Sequence, residues 1–173
     1  MCIRDSSYVV PEAARRRIVQ RPADAPGAAL LDTQEFQEVP WACGGAFSTA
    51  ADLAIFGQMF LNRGRCGEAR ILSPASVAAM TRNQIPGISA EFQGEFFPAA
   101  SWGYGWEFYG NKKARYEASL LSTEAFGHSG WGGVNLRVDP RSQMVAVYLS
   151  VGLYDEATRQ YDLFMNAVMA AVL

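Results

Sequence analysis

One histidine stands in the 173 residues, His128, within the stretch AFGHSGWGG (residues 125–133). An imidazole can orient a reacting group, polarise it or carry a proton. With no second histidine, its partner must be of another type. Ser129 follows directly, and Gly130 lets another backbone approach closely. No serine of the chain has a lysine three residues on, and the lysines are Lys112 and Lys113 alone. These residues therefore encode no serine activated by a lysine on the next helical turn. Tyr109-Gly110-Asn111 offers a tyrosine near an amide, but it reads better as a strand-end turn in which Asn111 tolerates a left-handed backbone. Glu124 and Asp139 read as surface and turn residues. No paired carboxylates and no phosphate-cradling glycine loop occur.

The cysteines are Cys2, Cys43 and Cys66, without a Cys-x-x-Cys spacing. With one histidine beside them, no metal site is expected. Buried free thiols are the plain reading, and a Cys43–Cys66 disulfide stays open. Half the residues are hydrophobic and 18% are charged, with a net charge of −2. That balance suits a folded globular chain and gives no broad attraction to nucleic acid. No apolar run reaches transmembrane length. The opening MCIRDSSYVV lacks the apolar core of a secretory signal. The compartment stays unknown.

The elements that must position these groups follow from local signals. Residues 11–20 read as a short helix with Pro11 at its first position and Arg15, Arg16 and Arg17 on a solvated face. Residues 21–40 read as a surface loop. Ser48 or Thr49 caps the clearest helix, with Asp52 near its positive end. Leu53, Phe56, Gly57 and Phe60 form its buried face, and Gly64 ends it in a left-handed cap. Ser73 and Pro74 open another helix, with Val77 and Met80 inside. Residues 83–101 read as a long loop. YGWEFYG is a short strand. LRVDPRSQMVAVYLSV is a hairpin that turns through Asp139–Ser142. Residues 156–173 form a closing helix with Leu163, Phe164, Ala167, Val168 and Ala171 on one face. The expected fold is layered α/β (α+β), with antiparallel strands, flanking helices and a C-terminal helix.

GGAFSTAADLAIFGQMFLNRG, RILSPASVAAM, YGWEF and FGHSGWGGVNLRVDP stand in that order. Over roughly Tyr8 to Leu173 the chain resembles the serine hydrolases related to class C β-lactamases, which include β-lactamases, penicillin-binding DD-peptidases and esterases. The resemblance implies the C-terminal part of a β-lactamase/transpeptidase-like fold. It also implies an acyl-serine route to ester, amide, peptide or β-lactam cleavage, with no metal and no cofactor. The family takes its nucleophile from Ser-x-x-Lys, a general base from Tyr-x-Asn or Tyr-x-Ser, and an edge strand from Lys-Thr-Gly or His-x-Gly. His128-Ser129-Gly130 matches the third motif, which makes His128 an orienting and polarising group. Ser129 and Gly130 would then bind substrate, and the Trp131 backbone N–H would donate to an oxyanion. An offset that puts Trp131-Gly132-Gly133 at the third motif stays open.

On the same reading, residues 1–7 are a leader. Residues 8–173 then lack the N-terminal half of their domain, which is their first partner, and the chain alone is inactive. Trp102, Tyr104 and Trp106 read as packing on helices, with substrate contact by one of them as the alternative. The contrasting function is a non-catalytic homologue that binds a peptide, glycan or partner through the 83–101 loop.

Overall fold

The computed structural model describes residues 5–42, 44–92, 94–110, 119–152 and 154–172. Its first half holds three single-turn helices: α1 (Glu12–Arg15), α2 (Ala28–Leu31) and α3 (Gln34–Gln37). The helix expected over 11–20 is thus one turn, with Pro11 as its N-cap. No residue of α1 is buried, and a short helix without a packed face does not propagate. The loop expected over 21–40 carries α2 and α3. Gly27 precedes α2 at φ +81°, and the Thr33 hydroxyl caps α3 by accepting from the Phe36 N–H.

The helix α4 (Ala50–Leu61) is capped by the Thr49 hydroxyl, which accepts from the Asp52 N–H at 3.1 Å. Met59 and Phe60 are buried, while Leu53 and Phe56 are half-buried. Asp52 is also buried, and its carboxylate accepts from the Asp5 N–H and the Ser6 hydroxyl. Ser7 pairs with Phe47. Residues 5–7 are therefore bonded to the helix and to its approach. Gly64 follows α4 at φ +88°, as its left-handed stop requires.

A small hairpin comes next, β1 (Arg65–Cys66) with β2 (Ala69–Arg70). Cys66 is disulfide-bonded rather than a free thiol. The other two cysteines, Cys2 and Cys43, lie outside the described residues. The helix α5 (Pro74–Met80) begins as expected, with the Ser73 hydroxyl accepting from the Ser76 N–H and Pro74 in the first turn. The segment read as a long loop contains a second hairpin, β3 (Ala90–Phe92) with β4 (Glu95–Phe97).

The main sheet is four-stranded and antiparallel, in the order β5 (Glu107–Phe108), β6 (Phe126–Gly130), β7 (Val134–Asp139) and β8 (Met144–Leu149). The chain closes with α6 (Tyr154–Val172). Period-two alternation sends Phe126, Leu136 and Val138 to one face, where they meet Met59, Phe60, Val77 and Trp106. The other face carries Met144 and Ala146 against Tyr161, Met165 and Met169 of α6. The architecture is thus helix, sheet, helix. At Gly57 an added Cβ would stand 2.6 Å from Val145, so glycine lets α4 lie close on the sheet. No helix among the described residues is long and apolar enough to cross a membrane.

Two further expectations need correction. On α6 the buried stripe is Tyr161, Met165 and Met169, while Leu163, Ala167 and Ala171 are exposed and Phe164 and Val168 are half-buried. Both stripes repeat every four residues, so period alone does not choose between them; the longer Tyr and Met side chains fill the space above the sheet. Asp139 does open the hairpin turn, but it is fully buried rather than a surface residue. Its carboxylate accepts from the Ser122 N–H (2.9 Å), the Ser122 hydroxyl (2.6 Å) and the Arg141 N–H (3.0 Å). Three donors satisfy a buried carboxylate. Glu124 is exposed, as expected.

Arg137 is buried on the α6 face, 3.5 Å from the Glu107 carboxylate and over the Tyr161 ring. Burial pushes the nearby Asp162 carboxyl up to about 6, against the opposing pull of the Arg137 guanidinium. The unfolded value is about 3.9. Between these values the folded state holds more proton, so stability falls as pH rises through that window. Asp162→Asn is expected to abolish that decline. Wild type and variant should melt alike near pH 4, with the variant melting higher at pH 8. A constant difference between the two pH values would show that burial of Asp162 carries no charge penalty.

Candidate active site

Three residues of β6 and the turn after it form the candidate site. His128 pairs with Leu136, Ser129 with Asn135 and Gly130 with Val134. On its other side β6 is opposed by β5 only at Phe126 and Gly127. Among the described residues, His128 to Gly130 therefore form a strand edge open to a ligand. At Gly127 an added Cβ would run into the Leu136 carbonyl and the Arg137 side chain, so glycine there keeps the strands in register.

The His128 ring is exposed, and its Nδ1 lies 2.6 Å from the Ser129 carbonyl oxygen. A carbonyl only accepts, so Nδ1 carries the proton. In the neutral form of an imidazole so bonded, Nε2 is the acceptor. The Trp102 ring packs edge-on against the imidazole, with centroids 5.6 Å apart and planes at 67°. Ser129 points to the opposite face, where its hydroxyl accepts from Asn135 Nδ2 at 2.7 Å. The side chains of His128 and Ser129 thus diverge. Gly130 ends the strand without adding a side chain to the edge.

Trp131-Gly132-Gly133 is the three-residue turn between β6 and β7. Gly133 has φ +86°, and a Cβ there would meet the Gly152 carbonyl. Each carbonyl flanking the turn is held. Gly130 accepts from the Gly133 N–H at 3.0 Å, and Gly133 accepts from the Ser150 N–H and hydroxyl. Gly132 accepts from Arg21 Nη2 at 3.4 Å. The Arg21 guanidinium is itself largely buried and pairs with Asp32 at 2.7 Å. The Trp131 N–H has no acceptor among the described residues. The turn therefore holds one N–H that has no acceptor among the described residues, the kind of donor that an oxyanion needs.

Other residues singled out from the sequence stand elsewhere. Tyr109 packs in the core on the α6 side. Asn111, Lys112 and Lys113 lie outside the described residues. Trp106 packs on Phe56 and Phe60 of α4, as expected. The Trp102 ring contacts His128, and Tyr104 is largely exposed. No three metal-ligating residues converge among the described residues. Sequence reasoning missed Arg21 as a brace. Its pairing with Gly132 spans 111 residues, and no local pattern connects them.

The β-lactamase family model matches residues 3–168. A Salmonella paratyphi B protein named "Putative D-alanyl-D-alanine carboxypeptidase" is 30% identical over 106 residues, covering 61% of this chain and 22% of that protein. A β-lactamase structure from Mycobacterium bovis superposes with a TM-score of 0.65 at 30% identity, over 74% of this chain and 46% of that one. A family VIII carboxylesterase structure superposes with a TM-score of 0.68 at 22% identity, over 98% of this chain and 47% of that one, and so shows the fold alone. The chain spans less than half the length of each of these relatives. The helix–sheet–helix layering agrees with those folds, and the family match runs through the open strand and its turn: this chain belongs to the β-lactamase family.

Proposed function

We propose that these residues form the sheet-bearing part of a serine hydrolase domain that cleaves an ester or amide through an acyl-serine intermediate. Its nucleophile would come from a segment outside the 173 residues, since no serine here precedes a lysine by three. The observation that carries the reading is the braced turn whose Trp131 N–H meets no acceptor among the described residues, beside the strand edge at His128. In such a domain the serine oxygen attacks the substrate carbonyl, and the Trp131 N–H stabilises the negative charge that forms on its oxygen. With Nδ1 donating to the Ser129 carbonyl, His128 turns Nε2 toward a hydroxyl of the site or the substrate. Its strand position, against the turn position of Trp131-Gly132-Gly133, supports His128-Ser129-Gly130 as the edge motif. Substrates of this reading are small esters, β-lactams or peptides.

The test is labelling with an active-site-directed fluorophosphonate. The 173-residue chain is expected to remain unlabelled. A longer natural protein that contains this sequence together with a Ser-x-x-Lys segment should label once, at that serine. Stoichiometric labelling of a serine within these residues would overturn the reading. An unlabelled longer protein without Ser-x-x-Lys would instead make it a binding homologue.

A further inference from the structure

We propose that Trp102 is the specificity wall of this site and that it selects substrates whose acyl group is flat and apolar, such as an aroyl or arylacetyl ester. The inference rests on the acyl-transfer reading above and adds a substrate class to it. Trp102 is 36% exposed, and its ring stands against His128. The backbone around it is over-determined. Its carbonyl accepts from the Gln84 N–H at 2.7 Å, and it bridges to Glu107. Ser101, just before it, is buried and held at φ +55°, a region that costs a non-glycine residue free energy. The Ser101 carbonyl accepts from the Phe108 N–H at 3.0 Å. Gly103, just after it, has no room for a Cβ beside the Met80 carbonyl and the Phe108 ring.

Strain of this kind persists where the surroundings enforce it, and here its result is an indole presented at the open edge. A second indole, Trp131, follows Gly130 in the chain and is 58% exposed. Around His128 the edge thus brings together the Trp102 indole, the imidazole and the Trp131 N–H of the following turn. That set suits a neutral acyl ester with an aromatic substituent, which gains contact area and ring stacking that a methyl group lacks.

His128 is the sole histidine, so its ring gives one unambiguous NMR signal in the 173-residue chain. Titration with methyl phenylacetate is expected to move that signal at a concentration about tenfold lower than methyl acetate requires. Trp102→Phe should keep the preference, and Trp102→Leu should lose it while melting as a folded chain. Equal midpoints for the two esters in wild type, no response to the aryl ester, or an unchanged preference in Trp102→Leu would each overturn the proposal. Because the readout is binding, it is separate from catalysis. Aryl-selective binding here, with no ester turnover by the longer protein, would sink the hydrolase reading and leave the role of Trp102 standing as a binding one.

Discussion

Replacing His128 by alanine in a protein that carries the complete domain is expected to lower kcat/KM for ester turnover by roughly ten- to a thousand-fold. That corresponds to about 1.4–4 kcal/mol of transition-state stabilisation. The change removes the acceptor Nε2 and the ring that packs on Trp102, but it leaves the Trp131 N–H and its braces in place. Acylation therefore slows without stopping. His128→Lys is expected to be milder than alanine, because an ammonium beside the Trp102 ring adds a cation–π contact and restores a polar group at the edge, although it donates where Nε2 accepts. The three proteins are compared by ester turnover at matched melting temperature. Full activity in the alanine variant would make His128 a packing residue. A fall to the uncatalysed rate would make it a principal catalyst, with a role beyond orientation.

Phe60→Ala is expected to destabilise the fold by roughly 3–5 kcal/mol. Phe60 is 4% exposed and meets three aromatic rings: Trp106 at 5.0 Å, Phe56 at 5.3 Å and Phe126 at 6.1 Å. Its removal opens a cavity where α4, β6 and the segment before β5 converge, and rigid neighbours on three sides cannot close it. Phe96→Ala is the control. Phe96 is 68% exposed on the β3–β4 hairpin, and a surface change of that kind stays within about 0.5 kcal/mol. Urea midpoints of the two variants decide the matter. Equal shifts would mean that the cluster around Phe60 does not anchor α4 to the sheet. The same geometry ties this core to the site, since Phe126 precedes His128 by two residues on one face of β6.

The sequence by itself determined what depends on a few neighbouring residues. Thr49 and Asp52 mark the start of α4, and Ser73 with Pro74 marks that of α5, because a cap is an interaction across three residues. The alternation in LRVDPRSQMVAVYLSV, broken at Asp139–Ser142, marks the hairpin that the structure forms from β7 and β8. His128-Ser129-Gly130 also stands out locally, as the one imidazole in a glycine-rich stretch. The short hairpins β1–β2 and β3–β4 escaped because strands of two or three residues carry too little alternation to register.

Tertiary structure alone decided the rest, since those contacts join residues far apart in the chain. It chose the Tyr161–Met165–Met169 stripe of α6 over one of equal period by fitting the larger side chains onto the sheet. It buried Asp139 by bringing Ser122 to it, and it turned Ser129 away from His128 toward Asn135. It set Trp102 on the imidazole and carried Arg21 across 111 residues to brace the turn that bears the Trp131 N–H. Composition and spacing hold no trace of such pairings. Each becomes favourable only after the packed layers have met the entropy cost of holding the two segments together.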